Sequence, residues 1–269
     1  MTPSLHHALI TAALTAAALF PLRAADGRIP IASVPYTITQ PGVYYLTRDL
    51  TLASGSAITV NASNVEVDLA GHTLTLGDTF GIPIAIGSTS GNIRITNGRL
   101  LGGQFGVDIE PSVADAFYQL DHLTLSGQSF AGIYVFPPTL GTFSRVVIED
   151  NNVTASANYG IELAYIENGR IERNLVNHCQ LGFYIRNSQF NRIDHNVITG
   201  NTGNGIYLTT SNHNTLDWNS AVGNGNTGFN LNNGGNNIYS NNRLSGNTSG
   251  NVFTAGVSAG GNNAGAANF

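Results

Sequence analysis

Gly182-Phe183-Tyr184-Ile185, Gly205-Ile206-Tyr207-Leu208 and Gly228-Phe229-Asn230-Leu231 are one phrase written three times, each start 23 residues after the last. Upstream the phrase returns as Gly160-Ile161-Glu162-Leu163, Gly132-Ile133-Tyr134-Val135, Gly106-Val107-Asp108-Ile109 and Gly81-Ile82, with Ala57-Ile58-Thr59-Val60 as an earlier copy. A fixed period near 23 residues is the length of one solenoid coil. Within each period a second apolar position recurs (Val65/Val67, Ile93/Ile95, Val146/Ile148, Ile171, Ile193, Leu216, Ile238), followed by an Asn at 151, 174, 196, 219 and 241. A third short run leads into Gly200-Asn201, Gly223-Asn224 and Gly246-Asn247. Apolar residues alternate with period two and nowhere follow a helical period. The pattern predicts three short strands per coil and about eight coils, each strand stacked about 4.8 Å above its equivalent. The chain is therefore an all-β solenoid over 57–254, with 26–56 as an N-terminal cap and the Gly/Ala/Asn-rich 255–269 as a flexible tail.

The composition agrees. Charged residues are only 10% of 269, Gly numbers 32, and Asn crowds the second half. Both Gly and Asn tolerate the positive φ that tight turns require. Every basic residue is Arg, and the net charge of -5 leaves no basic stripe for nucleic acid. The absent Lys also excludes lyase schemes built on a lysine base. The first 25 residues read as an export signal: a short polar start, an apolar run from Ala8 to Phe20, then Pro21 and the small pair Ala24-Ala25. The expected location is secreted or periplasmic, as a monomer with no membrane contact once the signal is removed. Cys179 is the single cysteine, so no intrachain disulfide forms, and a buried structural thiol is expected.

The coils resemble the right-handed parallel β-helix superfamily, the pectate-lyase-like architecture built from parallel-β-helix repeats. The stretch Pro35-Tyr36-Thr37-Ile38-Thr39-Gln40-Pro41-Gly42-Val43-Tyr44-Tyr45-Leu46, continuing to Leu50, and Val65 to His72 are similar to the opening of many bacterial members. The resemblance covers nearly all of the chain beyond the signal. It implies the fold, and a polysaccharide groove along the outer face of the first strand. It does not imply one activity, because lyases, hydrolases, epimerases and inert scaffolds share this architecture.

With the apolar residues of the first strand facing inward, two outward columns follow. One reads Thr59, Pro83, Asp108, Tyr134, Glu162, Tyr184, Tyr207, Asn230. Its neighbour reads Asn61, Ala85, Glu110, Phe136, Ala164, Arg186, Thr209, Asn232. Exposed aromatic rings suit sugar stacking, and carboxylates suit hydroxyl binding or acid–base work. Asp108, Glu162 and Arg186 are the candidate catalytic groups, and Glu110, Tyr134, Phe136, Tyr184, Tyr207 and Asn230 the candidate substrate contacts. Asp108 and Glu162 stand two coils apart, about 9.6 Å at the backbone. Side-chain lean brings such a pair into the range of about 6.5–9.5 Å used by inverting hydrolases. Alternatively Asp108, Glu110 and Glu162 hold Ca²⁺, with Arg186 near a bound uronate as the resemblance to Ca²⁺-dependent pectate-type lyases implies. A non-catalytic glycan-binding scaffold is the competing reading.

Two further patterns are weighed and set aside. Ile193-Asp194-His195-Asn196 is similar to the Ile-Asp-His run of pectate lyases, but Ile171-Glu172-Arg173-Asn174 and Leu216-Asp217-Trp218-Asn219 occupy the same repeat position, which makes it repeat consensus. Glu149, Glu172, Asp194 and Asp217 form one column, where neighbours repel by roughly 0.9 kcal/mol even in water-like surroundings. Arg170 and Arg192 are placed to offset this, as a structural charge ladder. A related β-helix family assists assembly of a periplasmic copper site, so the histidines are a last test. His122 and His195 share a column about 14 Å apart, too far for one ion. With Met at position 1 only and one Cys, soft copper ligands are missing.

Overall fold

The computed structural model describes residues 26–138, 140–255 and 264–266; the proposed export signal lies outside them. Every described regular element is a strand, and every pairing between strands is parallel. Ten strands stack into one sheet, from Tyr36–Ile38 through Phe105–Ile109, Ala131–Val135, Tyr159–Ala164, Leu181–Arg186, Ile206–Thr209 and Thr227–Asn232 to Gly250–Ala255. The remaining eighteen form two ladders that merge where Ile93–Leu101 and Phe117–Ser126 run continuously around one corner. Three ladders enclose one apolar interior, as the three runs per period require.

Ten stacked strands mark nine turns between the first and the last, one more than the repeat count suggested. The extra turn comes from the segment read as a cap. Its strands Ile29–Ile31, Tyr36–Ile38, Gly42–Leu46 and Leu50–Leu52 pair in register with the next coil, so Tyr36 meets Ile58 and Ile38 meets Val60. Pro30 lies within the three-residue strand Ile29–Ile31, and Pro35 and Pro41 directly precede the strands Tyr36–Ile38 and Gly42–Leu46. At the other end Gly250–Ala255 pairs with Thr227–Asn232, and Ala264–Ala266 pairs with Ile238–Ser240. The rest of the region read as a tail lies outside the described residues.

The core is a set of aliphatic stacks. Ile133, Ile161, Phe183, Ile206 and Phe229 are fully buried rungs of one ladder, and Ile148, Ile171, Ile193 and Leu216 of another. Each such burial is worth roughly 1.5–3 kcal/mol. The Gly that opens each phrase serves close approach. A Cβ on Gly160 would meet the carbonyl oxygen of Gly182 at 2.8 Å, and one on Gly132 would meet that of Gly160 at 2.8 Å.

Asparagines close the turns. Asn174 donates Nδ2 to Ile148 O at 2.8 Å and to Asn196 Oδ1 at 3.0 Å, while its backbone N–H donates to the same Oδ1 at 2.9 Å. Asn151, Asn196 and Asn219 repeat this pattern. Among the described residues the ladder runs on to Asn242, which accepts from Asn219 N at 2.8 Å; the repeat count points to Asn241, which instead holds the positive-φ turn position. Two further ladders run through Asn191, Asn214 and Asn237 and through Asn201, Asn224 and Asn247. Buried amides thus answer the backbone groups that each turn leaves open.

The charge ladder is also present. Glu149, Glu172, Asp194 and Asp217 pair in register. Arg170 reaches Glu149 at 3.1 Å, Arg173 reaches Glu149 at 3.0 Å and Asp150 at 2.9 Å, and Arg192 reaches Asp194 at 3.0 Å. His195 sits at a positive-φ turn with Nδ1 2.8 Å from Asp194 Oδ2, in the repeat position that Arg173 and Trp218 also fill.

Candidate functional site: the outer face of the ten-stranded sheet

Asp108, Tyr134, Glu162, Tyr184, Tyr207 and Asn230 are consecutive rungs of one ladder. Their strand neighbours Val107 and Ile109, Ile133 and Val135, and Ile161 and Leu163 belong to the core, so the six project to the outer face. Ala164, Arg186, Thr209 and Asn232 form the adjacent column. One rung differs from the reading of the repeat: Asp108 pairs with Ala85, not Pro83, because Ile84 is the partner of Val107. The Gly81-Ile82 phrase lies two residues out of step with the later copies, so Ala85 also pairs with Thr59.

Outer does not mean solvated. Asp108 is 9% exposed and Glu162 1% exposed, because aromatic rings lie over the strand face. Phe105 stacks on Tyr134 with centroids 4.4 Å apart, Tyr134 lies 5.9 Å from Phe136, and Tyr184 stacks with Tyr159 and Tyr207 at 5.2 and 5.3 Å. Phe130 meets Phe105, Tyr134 and Tyr159 edge-on, which joins the rings into one band. Phe105, Phe130 and Tyr159 are absent from the sequence-derived set. Strict alternation would turn Phe105 inward with Val107 and Tyr159 inward with Ile161, but the alternation breaks at Gly106 and Gly160. An aromatic residue just before the repeated Gly is the signal that could have found two of them.

The site is electrostatically uneven. Arg186 Nη2 donates to Glu162 Oε1 at 2.7 Å, and its guanidinium lies 4.3 Å from the Phe136 ring centre and 5.5 Å from that of Tyr184. Burial pushes the Glu162 carboxyl upward, and Arg186 opposes the rise. Asp108 has no such partner. Burial, reinforced by the charge of Glu110, raises it from 3.8 to about 7. Burial, with Glu162 second, raises the Tyr134 hydroxyl to about 12. Four buried polar atoms on this face lack a hydrogen-bond partner: Asp108 Oδ1, Glu162 Oε2, Arg186 Nε and Asn230 Oδ1. Glu110 is exposed at the end of its strand.

Among the described residues no three His, Cys, Asp or Glu side chains gather into a group able to hold a metal ion. The Asp108, Glu110 and Glu162 set expected for Ca²⁺ is thus not assembled: Tyr134 separates Asp108 from Glu162, and Glu162 is committed to Arg186. Two shallow clefts, of about 170 and 430 Å³, lie elsewhere, along the turn that holds Asp115 and Arg145. Neither includes a residue of the aromatic band.

The model of the family described as periplasmic copper-binding protein (NosD) matches residues 42–201 and again 143–263. The chain belongs to the NosD family. As a NosD-family β-helix, it carries the repeat over nearly its whole described length. Comparison with curated protein sequences gives no match. Among solved structures it is similar to the A-module of the Azotobacter vinelandii mannuronan C-5 epimerase AlgE6, at 16% identity and TM-score 0.53 over 81% of this chain and 71% of that one. The periplasmic alginate epimerase AlgG aligns at 16% identity and TM-score 0.54, over 81% of this chain and 62% of that one. The Dettilon tailspike protein aligns at 14% identity and TM-score 0.55, over 88% of this chain and 60% of that one. Likenesses at such identities show the fold. The family's copper description meets an unfit donor set here: the described residues gather no metal-holding group, Cys179 is buried and its thiol raised by that burial, and Met occurs only at position 1.

Proposed function

We propose that this NosD-family protein is exported and acts on a polysaccharide that lies along the outer face of the ten-stranded sheet. The observation that carries the reading is the ladder Asp108, Tyr134, Glu162, Tyr184, Tyr207, Asn230, in which buried acids with unanswered oxygens stand among stacked rings. Aromatic faces bind sugar rings, and an acid whose protonation is balanced near neutral pH can give or take a proton. The carbohydrate-active names among its structural neighbours and the periplasmic label of its family support the same reading. The apolar run before residue 25 supports export.

In this reading Asp108 is the proton-transfer group, Glu162 the second carboxylate and Arg186 its orienting partner. For hydrolysis, Asp108 protonates the glycosidic oxygen as its bond to C1 breaks, while Glu162 takes a proton from the water that adds to C1. For β-elimination, Asp108 removes the proton next to a uronate carboxyl as the bond to the departing oxygen breaks, and that oxygen takes up a proton. Glu110, Tyr134, Phe136, Tyr184, Tyr207 and Asn230 position the sugars. The test is a panel of neutral and uronate-containing polysaccharides, with and without Ca²⁺, scored for new reducing ends and for unsaturated products. Loss of turnover in Asp108→Asn supports the enzyme. Binding without turnover in the native protein across the panel assigns it to the non-catalytic scaffolds. A mature N-terminus found upstream of residue 20 would sink the export assignment.

A further inference from the structure

We infer that the ligand of this face is an uncharged, hydroxyl-rich glycan and not a polyuronate. The inference rests on the proposed site and narrows its substrate class. Two independent observations carry it.

The first is the inventory of unanswered atoms. Three of the four, Asp108 Oδ1, Glu162 Oε2 and Asn230 Oδ1, are oxygens, and only Arg186 Nε is a donor. The amide oxygen of Asn230 and the Glu162 carboxylate paired with Arg186 accept only, and Asp108 accepts at both oxygens whenever it is ionised. A ligand that completes this face must therefore bring donors. Sugar hydroxyls each bring one; a uronate unit keeps its ring hydroxyls, but its carboxylate adds acceptors and no donor.

The second is the charge of the face. The ten strands of this sheet contain three charged residues among the described positions, Asp108, Glu162 and Arg186, and Glu110 follows directly on the Asp108 strand. Arg186 spends its charge on Glu162 at 2.7 Å. The other described arginines lie on the remaining ladders or at turns: Arg94 and Arg99 within Ile93–Leu101, Arg145 at the start of its strand, Arg170, Arg173 and Arg192 on the charge ladder, Arg243 beyond it, and Arg28 and Arg48 in the first coil. A polymer carrying one carboxylate per sugar would meet more acids than cations here, and the one cation, Arg186, is already paired with Glu162 through Nη2 and offers only its Nε. An uncharged glycan meets rings and acceptors. It also lacks the activated proton that β-elimination needs, which leaves hydrolysis as the cleavage open to this site.

The test measures binding of the full chain by calorimetry to two oligosaccharide series of matched length. Neutral gluco-, manno- and xylo-oligosaccharides form one, oligogalacturonates and oligomannuronates the other. We expect at least one neutral series to bind and the uronates to bind about tenfold more weakly or worse at low salt. Two readings sharpen the result. Uronate binding strengthens as salt screens the repulsion, and it strengthens again in Glu110→Gln, a substitution at an exposed position. Uronates that bind as tightly as every neutral series, or that weaken with added salt, overturn this inference and leave the glycan site standing. Failure of both series overturns the glycan site itself, and this inference with it.

Discussion

Asp108 and Asp121 are two buried aspartates, thirteen positions apart, that the fold treats in opposite ways. Asp121, on the eighteen-stranded side, is 1% exposed. It accepts from Arg94 Nε and Nη2 at 2.9 Å each and from Thr96 Oγ1 at 2.7 Å, with His122 Nδ1 at 2.9 Å. Burial pushes its carboxyl up, but these partners outweigh the push and hold it below 3.8. Asp108 is nearly as buried, has Glu110 for its charged neighbour, and rises to about 7. Acids on the charge ladder are held by arginines or, at Asp217, by donors from Ser240 and Asn241, and serve the fold. The acid on the aromatic face is left unpaired at a cost to stability, and the chemistry proposed for it rests on that contrast.

The sharpest way to break this contrast is a matched pair of substitutions. Asp108→Asn should lower turnover on the order of 10²–10⁴-fold, measured as reducing ends released, yet stabilise the fold. The sign follows from linkage. A carboxyl raised in the folded state binds protons more tightly there than in the unfolded chain, so its contribution declines as pH rises from about 4 to about 7 and stays low above. A rise from 3.8 to about 7 corresponds to at most about 4 kcal/mol at pH 8. Urea melts of the native protein and Asp108→Asn at pH 4 and pH 8 check this; a variant no more stable at pH 8 than the native protein would refute it. Asp121→Asn should do the reverse, with a loss of about 3–5 kcal/mol at pH 8 as a buried, paired charge is removed. That loss should shrink as acid protonates Asp121 in the native protein.

Smaller effects probe the frame on which both acids stand. Asn196→Ala removes donations to Ile171 O, Asp194 O and Asn219 Oδ1 and strands the backbone N–H and one side-chain N–H of Asn174, whose other amide hydrogen stays on Ile148 O. A loss of about 3 kcal/mol is expected, read from the urea midpoint. Gly182→Ala places a methyl against Gly205 O at 2.5 Å, so a loss of about 1–3 kcal/mol is expected, with the slope of the transition unchanged. Arg192→Ala should cost less than about 1 kcal/mol, because its pair with Asp194 is largely solvated on the Arg side. If Arg192→Ala proves as damaging as Asp121→Asn, the charge ladder is more than surface compensation.

The 23-residue phrase determined by itself that the chain is a parallel solenoid, that Asp108, Tyr134, Glu162 and Tyr184 share one outward ladder, and that Glu149, Glu172, Asp194 and Asp217 share another. Coil length and period-two alternation are local properties, and stacking turns them directly into register. Where the phrase was irregular the reading slipped, by two residues at Pro83 and Ala85 and by one at Asn241 and Asn242. The tertiary structure alone decided that the outward acids are roofed by rings, that Arg186 closes on Glu162, and that Asp108 is left without a partner. Those outcomes depend on how side chains from different coils lean across one another, and no single repeat contains that information.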